Sequence, residues 1–151
     1  MNGTNKFILL NFDGVVTSKS HTWQCHMNHC QQNILGMDWF DPVCIDALRM
    51  IVERTGAKIV VSSSWRDLRM EQLKKIWEFI PMPGELVGTT PIWILTKKRA
   101  IEHWVKQHPD DRYIILDDAD LGIENQLRTD PYTGLTEDVA EMAISILLKN
   151  T

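Results

Sequence analysis

Short, uninterrupted apolar runs alternate with longer stretches in which apolar residues recur at helical spacing. The apolar runs are FILL (7–10), KIVV (58–61) and YIIL (113–116), and a weaker strand is predicted around Gln126 to Arg128. Runs of this length that do not alternate with polar residues are typical of strands buried on both faces of a parallel sheet. The pattern therefore predicts a mostly parallel sheet with helices between its strands.

The clearest predicted helix lies between the first two long apolar runs. Asp41 precedes Pro42, which is the favoured order of an N-cap and a first helical residue, and Gly56 is placed to end the helix. Apolar residues at helical spacing lie between these signals: Leu48, Ile51 and Val52.

Three further helices are predicted from the same periodicity. One follows the second strand and is broken by the segment Pro81 to Gly84, one starts near Lys97, and Thr136 caps the last. Their predicted inward residues are Leu68, Leu73, Ile76, Trp77 and Ile80; Ile101, Trp104 and Val105; and Val139, Met142, Ala143, Ile146 and Leu147. Alternation of strands and helices predicts an α/β architecture.

The polar segment from Ser18 to Phe40 gives no clear helical or strand period, and we expect an irregular flap over residues 17–40. It holds a cluster of possible metal ligands: His21, Cys25, His26, His29 and Cys30. The spacing of the cluster does not match a standard zinc finger, so a partly buried flap is favoured over a zinc site. The six tryptophans are expected mostly in the core, including Trp23, Trp77, Trp93 and Trp104.

Composition narrows the class of protein. The chain has 151 residues, is 44% hydrophobic and carries a formal charge of −4, which fits one globular domain (1–151) and gives no sign of general polyanion binding. Three cysteines favour a reducing, cytoplasmic location over a disulfide scaffold. No apolar run is long enough to cross a membrane.

Polar residues with related chemistry follow each long apolar run. Asn11 and Asp13 follow the first, a run of serines from Ser62 follows the second, and Asp117 and Asp118 end the third. Because ligands of open α/β sheets bind at the carboxyl ends of the strands, these groups are expected to meet. Carboxylates are suited to Mg²⁺, and hydroxyl groups and a lysine from the Lys97–Lys98 pair are suited to phosphate.

The order of these groups resembles the four motifs of the haloacid dehalogenase-like (HAD) phosphatases. The motifs stand here as LLNFDGV, IVVSSSW, TKKRAI and YIILDD. Together with VVSSSWR and RTDPYTGLT, they are similar to the small HAD domains of bacterial and phage RNA-repair polyproteins. The resemblance covers nearly the whole chain and implies a three-layer Rossmannoid core with a minimal cap.

The resemblance implies a role for each matching position. Position 11 matches the nucleophile that forms an aspartyl-phosphate, Asp13 the general acid and base, and Lys97 the lysine of the third motif. Mg²⁺ would be held by residues 11 and 13, by Asp118, and by Asp117 through water. The implied phosphate-binding residues are Ser62, Ser63, Gly14 and Lys98, and Lys98 fits the third motif almost as well as Lys97.

Asn11 departs from the pattern, because an amide nitrogen is too poor a nucleophile to attack phosphorus. Its oxygen can still coordinate Mg²⁺. A substrate-trapping variant of an active phosphatase is favoured because Asp13, Asp117 and Asp118 are all present. The alternative is a natural pseudophosphatase that binds phosphate esters.

The short insertion after the first motif leaves no room for a large cap, so an open site and a macromolecular phosphate are expected. The RNA-repair resemblance suggests an RNA or DNA end, and Trp65 and Arg66 are candidates to touch it. A receiver domain is disfavoured because its acidic pair comes first along the chain. Nucleotide-binding folds are disfavoured because neither GxxxxGK(S/T) nor GxGxxG occurs.

Overall fold

A computed structural model describes residues 5–27, 40–62 and 69–149 of the chain. Its centre is a five-stranded, wholly parallel sheet of order β3-β2-β1-β4-β5. The strands are β1 (Lys6–Leu10), β2 (Lys58–Val61), β3 (Leu86–Thr89), β4 (Arg112–Asp117) and β5 (Gln126–Arg128). The predicted α/β fold with a parallel sheet is confirmed, and the four predicted strands are all present.

Five helices lie among the described residues: α1 (Lys19–Met27), α2 (Pro42–Thr55), α3 (Met70–Phe79), α4 (Lys97–Lys106) and α5 (Glu137–Leu148). Helices α2, α3 and α5 contribute to the larger core cluster on one face of the sheet, and α4 packs on the other face. The sheet is thus covered on both sides, which explains the uninterrupted apolar strands. Among the described residues, no helix is long and apolar enough to span a bilayer.

The predicted helix ends are confirmed where capping side chains mark them. The carboxylate of Asp41 accepts a hydrogen bond from the Val43 N–H, and Gly56 ends α2 in the left-handed conformation at φ 72°. The Thr136 hydroxyl accepts from the Val139 N–H at the start of α5. Side chains that bond the free N–H groups of a first turn determine where a helix begins.

Three sequence predictions were wrong or incomplete. The segment after Ser18 was expected to be irregular, but Lys19–Met27 is helical. Strand β3 was not predicted, since it is a four-residue edge strand containing Gly88. Met142 and Trp93 were expected inside, yet 55% and 71% of their surfaces are exposed, as is much of Trp23. The stripe of α5 is instead completed by Ala140 and Ile144.

Strand register brings the polar residues to one edge and one face. Leu10, Val61 and Thr89 are paired across three strands, so the next residue of each strand leaves the sheet at the same level. Leu10 and Val61 belong to the core cluster opposite α4. Because successive strand residues point to opposite faces, the side chains that follow them are directed to the α4 face. Those three residues are Asn11, Ser62 and Thr90.

Candidate active site

Asn11 lies at the centre of the carboxyl edge, immediately after β1. Its main-chain N–H donates to the Leu116 carbonyl at 3.0 Å, which fixes it between β1 and β4, and only 4% of the residue is exposed. Its side-chain nitrogen donates to the Asp13 carbonyl at 2.5 Å and to the Asp118 carboxylate at 3.3 Å. The amide oxygen points the other way and accepts from Lys97 at 3.3 Å.

Lys97 reaches this edge from the first turn of α4. Its Nζ lies 3.0 Å from Asp117 Oδ2, and Asp117 is wholly buried, whereas 27% of the Lys97 side chain is exposed. The second Asp117 oxygen accepts from the Ala119 N–H at 3.0 Å. Lys97 therefore joins the buried carboxylate to the side chain of position 11, where it can neutralise an incoming anion.

Asp118 is directed toward the same centre from the end of β4. Burial raises the pKa of its carboxyl group, and the neighbouring Asp117 carboxylate raises it further, while Lys97 acts in the opposite direction. The Asp117 and Asp118 carboxylates are adjacent and repel each other, and Asp117 is buried. A positive charge near these two residues is therefore stabilising.

Gly14 allows Asp118 to come this close. Its φ is +79°, and a Cβ atom built on it would lie 2.5 Å from Asp118 Oδ2. The Gly14 N–H donates to Thr17 Oγ1 at 3.2 Å, and the Gly14 carbonyl accepts from Thr129 at 2.6 Å. The loop after β1 is thus held on both sides, and in this structure the Gly14 N–H is used within the loop.

Asp13 is the exposed member of the group. One of its carboxylate oxygens lies 3.5 Å from the Thr17 hydroxyl, at hydrogen-bond distance, and Asp13 and Thr17 also form an isolated bridge. An exposed carboxylate beside a buried polar centre is placed to exchange protons with solvent.

Ser62 and Thr90 contribute hydroxyl groups on the α4 face. Both residues are completely buried, and neither hydroxyl has a hydrogen-bond partner within the part of the chain that the structure describes. Their main-chain N–H groups bond to the carbonyls of Leu10 and Val61. Buried hydroxyl groups are normally satisfied, so these two donors remain available to an acceptor group.

Sequence reasoning missed Thr90, because strand β3 was not predicted. The signal was the segment 86–90, LVGTT, which ends in hydroxyl residues like the serine run after β2. Ser63, Trp65 and Arg66 lie outside the described residues. Lys98 is exposed and extends toward Gly122, so its role in phosphate binding stays a prediction.

The His and Cys cluster is only partly within the described residues. Cys25 Sγ lies 3.4 Å from His21 Nε2 on α1, and His29 and Cys30 fall outside. Over residues 5–27, 40–62 and 69–149, no three His, Cys, Asp or Glu side chains come together as metal ligands.

The donor set at the carboxyl edge nevertheless fits Mg²⁺ when amide and main-chain oxygens are included. The Asn11 side-chain nitrogen lies between the Asp13 carbonyl and the Asp118 carboxylate, and it is their hydrogen-bond donor. Hard oxygen donors that converge on one point are the ligands Mg²⁺ prefers. Here the N–H group of the Asn11 amide, which carries partial positive charge, faces these oxygens. Residues 11, 13 and 118 are thus the residues that would hold Mg²⁺, with Asp117 adjacent.

Comparison with known protein families gives a match that spans most of the chain. No curated protein and no solved structure matched the chain. A family model described as the HAD domain in Swiss Army Knife RNA repair proteins matches residues 7–140, a span that includes the three strand-end motifs and the lysine motif at the start of α4. The chain therefore belongs to the family of HAD domains found in Swiss Army Knife RNA repair proteins.

Proposed function

We propose that this domain is built for Mg²⁺-dependent hydrolysis of phosphate monoesters, and that with Asn11 it binds such esters without turning them over. The arrangement of Asn11, Lys97, Asp117 and Asp118 carries the proposal. These four polar groups are linked at 3.0–3.3 Å around one point, at the edge where α/β sheets bind ligands.

In the proposed reaction, the ester phosphate lies between position 11 and the hydroxyl groups of Ser62 and Thr90. An aspartate at position 11 would attack phosphorus while Asp13 protonates the leaving oxygen, so that the ester P–O bond breaks and an aspartyl-phosphate forms. Water, giving its proton to Asp13, would then attack phosphorus, release inorganic phosphate and restore the carboxylate at position 11. Lys97 would keep the attacking carboxylate and the phosphoryl oxygens neutralised. Mg²⁺ bound by residues 11, 13 and 118 would add charge stabilisation for the phosphoryl group.

The amide of Asn11 changes this chemistry in two ways. It removes the nucleophile, since its nitrogen lone pair is delocalised into the carbonyl. It also directs an N–H donor toward the oxygens of Asp13 and Asp118, where a carboxylate would present an acceptor. Binding a cation at these oxygens requires the amide to turn its oxygen toward them, at the expense of the contact with Lys97.

A phosphorylated RNA or DNA end is the proposed substrate, and the cytoplasm the proposed location. The family match to RNA-repair HAD domains supports the substrate class. A flap over residues 17–40, of which the structure describes 17–27 and 40, is too short for a cap domain that would enclose a small metabolite.

A natural phosphate-ester binding module is the second candidate. Asn11 is well accommodated: it is buried and both ends of its amide are hydrogen-bonded. Both candidates bind phosphate esters. They differ in whether the other catalytic residues could still hydrolyse the ester if position 11 were an aspartate.

The deciding experiment compares the chain with its Asn11→Asp variant. Hydrolysis of an aryl phosphate is measured with and without Mg²⁺, and Mg²⁺ binding is measured by calorimetry. We expect activity and tighter Mg²⁺ binding only in the Asn11→Asp variant. An inactive Asn11→Asp variant that still binds Mg²⁺ and phosphate would favour the binding module, and activity of the Asn11 chain, with deamidation excluded by mass, would refute the covalent role of position 11.

A further inference from the structure

The loop between β3 and α4 exposes large apolar side chains beside the candidate site. The exposed fractions are 54% for Ile92, 71% for Trp93 and 93% for Leu95. Since this loop joins the carboxyl end of β3 to the N-terminus of α4, all of it lies at the edge that carries Asn11. Exposed apolar patches mark binding surfaces, and three of the four residues 92–95 are large apolar residues that are more than half exposed.

Cations accompany this apolar surface. Residues 91–101 contain Lys97, Lys98 and Arg99 and no acidic residue, in a chain whose net charge is −4. Lys98 and Arg99 are exposed in the first turn of α4, where the helix dipole disfavours cations, and Thr96 makes no side-chain cap there. Lys97 is paired with Asp117, so Lys98 and Arg99 are placed to meet an anion from outside.

Trp93 is held in place although it is exposed. Its ring makes an edge contact with His103 on α4, with ring centroids 5.3 Å apart and planes at 77°. A positioned aromatic ring in the loop that leads to Lys98 and Arg99 suits a base and its phosphates, because bases stack on indole and basic side chains follow the backbone.

We propose that residues 92–95, together with Lys98 and Arg99, bind the unpaired bases next to a phosphorylated single-stranded nucleic-acid end. The proposal extends the proposed function: the terminal phosphate lies at the Asn11 site and the adjoining bases stack on Trp93. Trp93 is four residues from Lys97, so their Cα atoms are at most roughly 14 Å apart, which one or two nucleotides can bridge.

The test is fluorescence anisotropy with a short labelled single-stranded RNA carrying a terminal phosphate. Three variants are compared with the parent chain: Trp93→Leu, Trp93→Phe and Phe79→Ala. Leucine keeps an apolar side chain but has no ring, and phenylalanine restores a stacking surface. Phe79 is 64% exposed at the C-terminus of α3, toward the opposite edge of the sheet, and is the matched control.

We expect Trp93→Leu to weaken RNA binding roughly tenfold, Trp93→Phe to recover most of the affinity, and Phe79→Ala to bind like the parent chain. Log affinity falls as log salt rises, and replacing Lys98 and Arg99 by glutamine should make this negative slope shallower by about 1.4, as expected for two lost phosphate contacts. Parent-like RNA binding by Trp93→Leu would overturn the proposal. Absence of RNA binding by the parent chain would also overturn the proposal. If the parent chain then self-associates and Trp93→Leu does not, the surface would be assigned to contact with a second copy of the chain.

These outcomes are separable from those of the proposed function. If Asn11→Asp is inactive on aryl phosphate but Trp93→Leu still weakens RNA binding, the phosphatase proposal fails and the base-binding surface stands. If Asn11→Asp is active and Trp93→Leu binds RNA like its parent, the base-binding surface alone fails.

Discussion

Replacing Lys97 by methionine should destabilise the protein, because Asp117 would keep a buried charge without its partner. Asp117 is wholly buried, and its carboxylate lies 3.0 Å from Lys97 Nζ and accepts from the Ala119 N–H at 3.0 Å. Breaking a buried ion pair by removing one member typically costs about 3–5 kcal/mol.

The expected cost here is smaller, since 27% of the Lys97 side chain is exposed and water can approach the pair. We therefore expect a loss of about 2–3 kcal/mol in the free energy of unfolding, or a fall in Tm of roughly 5–10 °C. Urea unfolding at pH 7 measures the first quantity and a thermal melt the second.

Lys98→Met is the matched control, because Lys98 is exposed at the next position and its removal eases the unfavourable charge at the start of α4. Its effect should be close to zero. The Asp117→Asn change removes the buried charge, so Lys97→Met made in that background should cost at least about 1 kcal/mol less. Equal effects of Lys97→Met and Lys98→Met would refute the assignment of Lys97 as the lysine that enters the site.

Three other perturbations test the geometry. Ser62→Ala should raise the free energy of unfolding by about 0.5–1 kcal/mol, because it removes a buried hydroxyl with no described partner. Ser18→Ala loses a 2.6 Å hydrogen bond to Asp41 and should lower the free energy of unfolding by about 1–3 kcal/mol. Urea unfolding measures both, and a destabilised Ser62→Ala would contradict the interpretation. In the Asn11→Asp chain, Gly14→Ala should weaken Mg²⁺ binding measured by calorimetry, because the added Cβ displaces Asp118. Gly56→Ala is the control: Gly56 has φ +72° and nothing within 4 Å, so the change should cost about 1–2 kcal/mol of stability and leave Mg²⁺ binding unchanged. Equal Mg²⁺ affinities of the two variants would refute the role of Gly14. Burial, followed by the nearby Asp41 carboxylate, raises the pKa of the Cys44 thiol to about 12. The stability that comes from the neutral thiol is therefore complete below the thiol's unfolded pKa and falls as pH rises through the alkaline range. By pH 10 the parent chain should lose about 1.4 kcal/mol more than Cys44→Ala in urea unfolding, and parallel pH profiles would contradict this.

The sequence alone determined the features that depend on local chemistry. Apolar runs without alternation indicated buried parallel strands, and Asp41, Pro42, Gly56 and Thr136 marked helix ends because their side chains or backbone act within one turn. The order of the strand-end residues was sufficient to indicate the family, since the carboxyl ends of parallel strands must meet at one edge.

Other features depended on contacts between distant segments. The orientation of α4 against the sheet brings Lys97 to 3.0 Å from Asp117, whereas Lys98 is exposed, and the local sequence does not distinguish these two lysines. The helix α1 and the edge strand β3 have weak local sequence signals. Met142 fits the helical spacing of α5, but this spacing does not decide whether its side chain faces the core or the solvent.

Tertiary structure also decided the two features that carry the new proposals. The register of β1, β2 and β3 places Asn11, Ser62 and Thr90 side by side, although they are far apart along the chain. Trp93 was expected in the core like the other tryptophans, but it lies in the β3–α4 connection, where 71% of its surface is exposed. Local sequence encodes which residues can serve a site, and long-range packing determines which of them reach it.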